Sequence, residues 1–198
     1  MFILSVAYRP IKSFDRGGIV VDDSEILLET RRFRVLRRTQ TLPDGRRHAR
    51  EVIEHPGAVG IVPMVDRDHV CLIRNFRLAV GRWLIEIPAG TLEPGEPPLA
   101  TASRELIEET GFRAGQVVPL CELLFSPGIL HERMHLFLAT DLTAGETRLE
   151  VGEQIERLIV PWEEALDMIQ RGAIEDAKTV AALLFCDRWR RNASADPS

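Results

Sequence analysis

The chain has 198 residues, 45% of them hydrophobic and 28% charged, with 25 lysines and arginines against 30 aspartates and glutamates, a formal net charge of −5. This suits one soluble globular domain with a sizeable core and room for an added N-terminal element. The negative balance argues against nucleic acid as the main partner, which calls for a basic face, but not against a small anionic substrate served by a local basic pocket and a metal ion. No apolar run approaches the roughly 20 residues that cross a bilayer. The opening MFILSVAYRPIKSF has no basic segment ahead of its apolar stretch and no small-residue cleavage site, so neither a membrane span nor a signal peptide is expected. Cys71, Cys121 and Cys186 are odd in number and far apart, which fits buried, unreactive thiols and a cytoplasmic location.

In chain order, residues 1–18 read as irregular. Phe33, Val35 and Leu36 begin a strand that ends at the turn signal Leu42-Pro43-Asp44-Gly45, and Arg46 to Glu54 reads as the return strand of a hairpin. The pair is rich in arginine and poor in alternating apolar residues, which points to an interface or a ligand rather than a core. Gly57 to Val65 is a dense apolar run and reads as a central strand. Asp66-Arg67-Asp68 turns into a strand over His69 to Arg77, followed by a short one over Trp83 to Ile87, stopped by Pro88. Helical spacing then sets in from Pro97 to Thr110, with Leu99, Ala102 and Leu106 as its core stripe. Prolines are tolerable in a first turn, and Gly111 fits a left-handed stop. Further strands are expected over Val117–Phe125, Met134–Thr140 and Ile155–Val160, and amphipathic helices over Trp162–Arg171 and Asp176–Arg190. The sum is an α/β fold, a mixed sheet between helices. Residues 1–56 form a β-rich N-terminal subdomain, 57–191 the main domain and 192–198 a disordered tail.

The chemistry concentrates on the helix after Pro97. Glu96 precedes it, and Glu105, Glu108 and Glu109 share one helical face at i, i+3 and i+4. Like charges so placed repel. Arg104 can reach Glu108 four residues on, and a hard divalent cation would offset the remainder, since Mg²⁺ takes oxygen ligands and bridges carboxylates to phosphates. A bare ExxEE is commonly just a solvated face. Here the surrounding residues change that reading. Gly90, five residues, Glu96, seven residues, Arg104-Glu105-Leu106-Ile107-Glu108-Glu109, one residue and Gly111-Phe112 resemble, at every fixed position, the motif of the Nudix hydrolases.

That resemblance implies a loop–helix–loop packed on a mixed sheet and a Mg²⁺-dependent (or Mn²⁺-dependent) hydrolase of nucleoside diphosphates linked to another group. It implies Glu105 and Glu109 as the first metal ligands, with Glu108 and the Ala89 carbonyl beside them. Arg104 and Glu96 would orient the motif, and Gly90 and Gly111 would serve through their backbones. A metal ion can neutralise phosphate oxygens and lower the pKa of an attacking water, so no nucleophilic Ser or Cys is needed.

Outside the motif, three features are similar to the ADP-ribose pyrophosphatase branch of that family. Pro127 stands 16 residues beyond Gly111 within Ser126-Pro127-Gly128, although the same residues also read simply as a turn between strands. Arg82 to Gly90 is similar to that branch's approach to the motif, and it includes Glu86, an acid in an apolar strand that needs a partner. The N-terminal hairpin is similar to a subdomain exchanged between subunits of a homodimer. Arg50 and Glu51 would then reach the partner's site and contact the adenosine, and Arg77 would sit near the phosphates. Either arginine read alone fits a surface ion pair equally well. The expected substrate is ADP-ribose, split to AMP and ribose 5-phosphate, with GDP-mannose or another nucleotide sugar as the alternative. The expected general base, which also serves as a metal ligand, is Glu153 in the acidic loop Glu150 to Glu156, with Glu156 second.

One competing pattern is His131-Glu132-Arg133-Met134-His135, the HExxH spacing of zinc proteases. It needs a helix, whereas Met134, Leu136 and Leu138 alternate as in a strand. Residues four apart on a strand lie about 13 Å apart, too far to share one zinc ion. Glu132 instead becomes a candidate for holding the substrate loop, as an acid near this position does in the family. A non-catalytic nucleotide-binding regulator is a second alternative, which the intact motif disfavours.

Overall fold

The computed structural model describes residues 20–149, 152 and 154–194. The irregular opening expected over residues 1–18 and the acid Glu153 lie outside them. Among the described residues, eleven strands and three helices follow in order. The first sheet runs in the order β1 (Val20–Glu29), β2 (Arg34–Thr41), β3 (Arg47–Glu54) and β9 (Leu130–His131). The second runs β7 (Ala89–Thr91), β4 (Ala58–Pro63), β10 (Arg133–Thr143) and β8 (Arg113–Leu124), with β10 parallel to β4 and antiparallel to β8. The third runs β11 (Ile155–Pro161), β5 (His69–Arg77) and β6 (Arg82–Glu86). The helices are α1 (Pro98–Thr110), α2 (Trp162–Gln170) and α3 (Ala177–Ser194).

The continuous apolar run at residues 57–65 is explained by burial on both faces. Val59 and Ile61 join Cys71, Ala102, Leu106, Phe112 and Phe137 in a core beneath α1. Ala58 and Val62 point the other way, into a core with Leu72, Leu136, Leu138, Trp162, Met168 and Leu183 that α2 and α3 cover. The second and third sheets therefore lie between α1 on one side and α2 with α3 on the other. Along β4 the two sets alternate with the period of two that a strand dictates.

α1 differs from expectation at one point. Leu99 is 49% exposed, whereas Ala102 and Leu106 are buried. Leu99 occupies the first turn, before the helix reaches the Val59, Ile61 and Phe137 cluster. The far end is firmly held. Gly111 adopts φ 73° and its N–H closes on the Ile107 carbonyl at 2.8 Å, the Arg148 N–H reaches the Glu108 carbonyl at 2.9 Å, and Arg157 Nη1 reaches the Thr110 carbonyl at 2.9 Å. Carbonyls that a helix end leaves without intrahelical partners are thus satisfied. A Cβ on Gly111 would stand 2.5 Å from the Gly145 carbonyl oxygen, so both the left-handed turn and the space require glycine.

β1, β7 and β9 were not anticipated. VVDDSEILLE has no alternation, and its pairing with β2 is set by the register Glu25↔Arg37 and Ile26↔Leu36. The arginines of the hairpin are met largely by acids across the strands. Arg37 pairs with Glu25 at 3.0 Å and Glu51 at 3.2 Å, and both Arg34 and Arg38 pair with Glu54. Leu36 is buried there, while Ile26, Leu27, Leu28 and Phe33 stay exposed. β9 joins β3 in parallel through Ile53↔Leu130 and Glu54↔His131, tying the first sheet to the loop before β10. α3 continues through Ser194, with no Pro or Gly there to stop it, and so takes up the first residues of the segment expected to be a tail. The thiols of Cys71, Cys121 and Cys186 are all buried, and burial pushes those of Cys71 and Cys186 up to about 12. Among the described residues, no helix is long and apolar enough to cross a membrane.

Candidate active site

The site forms where the chain leaves β6, passes Ile87 and Pro88, and enters β7. Three consecutive residues of this segment are pinned by different elements. The Ile87 N–H donates to Thr179 Oγ1 of α3 at 2.9 Å, the Pro88 carbonyl accepts from the Ile61 N–H of β4 at 2.9 Å, and the Ala89 N–H donates to Glu109 Oε2 of α1 at 2.8 Å. Glu109 is only 3% exposed. Its neighbour one turn back, Glu105, lies against Gly90: a Cβ there would stand 1.9 Å from the Glu105 carboxyl carbon. The spacing i, i+4 on α1 thus delivers two carboxylates to two successive backbone units.

Arg104 spreads over the acids. Its Nη1 reaches Glu105 Oε1 and Glu108 Oε2, each at 2.8 Å, and its Nη2 reaches Glu96 Oε2 at 3.1 Å. The hydrogen bond to Glu96 and the charges of Glu105 and Glu108 raise the guanidinium pKa, and Arg104 in turn lowers that of Glu96. One cation therefore offsets much of the repulsion among the motif's carboxylates. Arg104 bonds Glu105 and Glu108 alike, and it is contact with the Ala89–Gly90 backbone that sets Glu105 and Glu109 apart as a pair.

Across from this pair runs an ionic chain that the sequence did not suggest. Arg77, at the end of β5, donates from Nε to Glu86 Oε1 at 2.9 Å and from Nη2 to Glu86 Oε2 at 2.6 Å. Lys178 Nζ, in the first turn of α3, reaches the same Oε2 at 2.5 Å and Asp176 Oδ2 at 3.0 Å. Glu86 is 1% exposed. Burial pulls its pKa up, but Arg77 and Lys178 outweigh it and hold it below the usual range. Glu86 was expected among the substrate contacts. Both its oxygens instead face protein cations, so its observed part is to hold Arg77 and Lys178 in place. A cleft of about 380 Å³ is lined by Arg77, Ala89, Gly90, Glu132, Asp176 and Lys178, with Phe125 and Met134 at its side. Sequence reasoning missed Asp176, Lys178 and Thr179. The signal available was a lysine opening an otherwise amphipathic helix, and only the fold sets it beside residues nearly a hundred positions earlier.

The other expected residues are distributed as follows. Glu132 lines the cleft and pairs with His55 Nδ1 at 3.3 Å. Pro127 lies exposed in the turn after β8, where Phe125 rather than Pro127 lines the cleft. Arg50 and Glu51 are exposed on β3, the former bonded to His48 at 2.9 Å and the latter to Arg37 at 3.2 Å, and neither lines this chain's own cleft. Glu156 is on β11 and pairs with Arg74 at 2.9 Å, outside the cleft. His131 and His135 lie on β9 and β10, extended segments, so the helix that a zinc-protease motif requires is absent.

Among the described residues, no three His, Cys, Asp or Glu side chains converge closely enough to hold a metal ion unaided. Glu105, Glu109 and the Ala89 carbonyl together form an all-oxygen set suited to a hard cation that keeps several waters and shares substrate phosphates. The fit is carried by Gly90, whose missing side chain leaves the space that the Glu105 carboxylate fills. Gly90→Ala should therefore spare the fold, since the end of a glutamate can swing aside, yet lower kcat by about 10- to 100-fold, the scale of disturbing a metal's supports. Steady-state rates with a thermal melt check this, and an unchanged kcat would contradict it.

The sequence profile of the NUDIX domain matches residues 54–183. The ADP-ribose pyrophosphatase of Bacillus subtilis (strain 168) is 38% identical over 146 residues, covering 73% of this chain and 79% of that protein. A GDP-mannose pyrophosphatase of Escherichia coli O1:K1 / APEC is 39% identical over 151 residues, 70% of this chain and 78% of its own. A crystal structure of an ADP compounds hydrolase superposes with a TM-score of 0.79 at 26% identity, covering 89% of this chain and 96% of the other.

Proposed function

Because the chain belongs to the Nudix hydrolase family, we propose that it hydrolyses a nucleoside diphosphate sugar, ADP-ribose to AMP and ribose 5-phosphate, using Mg²⁺. The observation that carries this reading is the pairing of Glu105 and Glu109 at the Ala89–Gly90 backbone, with Arg77 and Lys178 across the same cleft. A pyrophosphate needs positive charge along its length. The Ala89–Gly90 backbone lines one side of the cleft, and its carbonyl with the carboxylates packed against it would hold a divalent cation, which would supply charge to the phosphates and acidify the attacking water. The opposite wall supplies two protein cations. Arg77, 41% exposed at its side chain, offers the planar group suited to phosphate oxygens, and Lys178 a point charge. Glu153 is the base we assign to the water, with Glu156 as the second candidate. Glu132, on the cleft wall and paired with His55, would hold the substrate loop.

The ADP-ribose assignment draws on Pro127, on the approach segment Arg82 to Gly90 and on the likeness to an ADP compounds hydrolase. GDP-mannose is the second reading, favoured by relatives of similar identity. The assembly we assign is a cytoplasmic homodimer in which the N-terminal hairpin reaches the partner's cleft with Arg50 and Glu51. Exposed Ile26, Leu27, Leu28 and Phe33 on and beside β1 support a covered face there. A monomeric mass in solution would remove that shared-site role. With Mg²⁺ present, AMP should appear from ADP-ribose with kcat/KM at least about 10-fold above that for GDP-mannose. The reverse ranking overturns the substrate, and no turnover of any nucleoside diphosphate sugar overturns the reaction.

A further inference from the structure

From the geometry of the α3 N-terminus we infer that Thr179 is a positioning residue for the reaction: its buried hydroxyl, oriented by Asp176, fixes the Ile87–Ala89 segment that presents Ala89 to the carboxylates of α1. Thr179 is fully buried, and its hydroxyl has one proton to give and accepts in return. The proton goes to Asp176 Oδ2 at 2.6 Å, and an oxygen lone pair receives the Ile87 N–H at 2.9 Å. Asp176 Oδ2 also accepts the Thr179 backbone N–H at 2.9 Å, the side-chain cap that starts α3. The carboxylate thus decides which way the hydroxyl points, and the hydroxyl decides where Ile87 sits.

Two residues beyond Ile87, the Ala89 N–H meets Glu109 Oε2, with Pro88 between them held to Ile61. A shift at Ile87 is therefore passed along a short stretch to Ala89, which lines the cleft, and to the Glu109 carboxylate bonded to it. The same turn of α3 carries Lys178, bonded to Glu86 and Asp176. One helix start thereby sets both walls of the cleft, the Ala89 side through Thr179 and the cationic side through Lys178.

The inference rests on the metal site proposed above, and its test separates the two. Thr179→Val keeps the shape and removes the hydroxyl, and Thr179→Ser keeps the hydroxyl and removes the methyl. Amide hydrogen exchange, titration of the substrate-free protein with Mn²⁺, and steady-state kinetics are compared across wild type, Thr179→Val and Thr179→Ser. In Thr179→Val the Ile87 amide should lose protection, Mn²⁺ affinity should fall about 10-fold and kcat about 10- to 100-fold, with KM changed less than 3-fold. Thr179→Ser should restore all three. Equal Mn²⁺ affinity and kcat in wild type and Thr179→Val overturn the inference, as does equal damage in both variants, which would assign the role to packing of the whole side chain rather than to the hydroxyl. If Thr179→Val does not fold, Thr179→Ala against Thr179→Ser gives the same contrast. Wild type that binds no Mn²⁺ would instead overturn the metal site itself.

Discussion

Glu109→Gln should lower kcat by more than about 100-fold, beyond what disturbing a metal's outer supports costs, while leaving the melting temperature within about 4 °C. The asymmetry follows from what each atom does. Glu109 is buried, and its Oε2 accepts the Ala89 N–H at 2.8 Å. A glutamine has the same length and keeps one carbonyl oxygen for that bond, so packing and the link between α1 and β7 survive. The negative charge does not, and a hard divalent cation discriminates strongly between a carboxylate and an amide where it has few protein ligands. Mn²⁺ titration of the substrate-free variant should show the loss directly. A kcat within a few-fold of wild type would remove Glu109 from the metal site.

How much of this could be read from the chain depends on how local each signal is. The three carboxylates of α1 were legible because helical geometry alone puts residues 105, 108 and 109 on one face. Which two would reach the backbone at Ala89 and Gly90 was not a matter of helical spacing: the i,i+4 reach of Arg104 to Glu108 was legible, but the close approach of Gly90 to Glu105 and the Ala89 N–H on Glu109 depend on how β7 packs against α1. The buried strands β4 and β5 were legible from their apolar density. β1, with no alternation, exists through pairing with β2, and β7, three residues after a proline, exists through pairing with β4. Glu86 is the instructive residue. As an acid in an apolar strand it was recognisable as needing a partner, but its partners come from both directions along the chain, Arg77 nine residues before and Lys178 92 after. The near partner lies on the adjacent strand β5, though the register partner of Glu86 there is Ile73. The far one depends on α3 packing against β4 and on where α3 begins, a tertiary outcome.

Replacing Glu86 with glutamine should cost about 3 kcal/mol of stability at pH 7, the low end of what breaking a buried ion pair costs. The low end applies because Arg77 remains 41% exposed at its side chain and can turn to solvent. Lys178 cannot, with a side chain 10% exposed, and would keep Asp176 alone as its counter-charge. The pH dependence gives the sharper check. Against burial, Arg77 and Lys178 hold the folded-state pKa of Glu86 below its ordinary 4.5. A carboxylate with a depressed folded pKa contributes stability that is present above the unfolded value and lost as pH falls through the folded one. Urea unfolding of wild type and Glu86→Gln should therefore differ most at neutral pH, with the gap narrowing as pH drops below 4.5 and the wild-type carboxyl takes up its proton. The KM for a nucleotide sugar should rise in the variant at neutral pH, since Arg77 and Lys178 lose the anchor that aims them into the cleft. A stability gap that is flat from pH 7 to pH 3 would mean that the charge of Glu86 is not what holds this wall together.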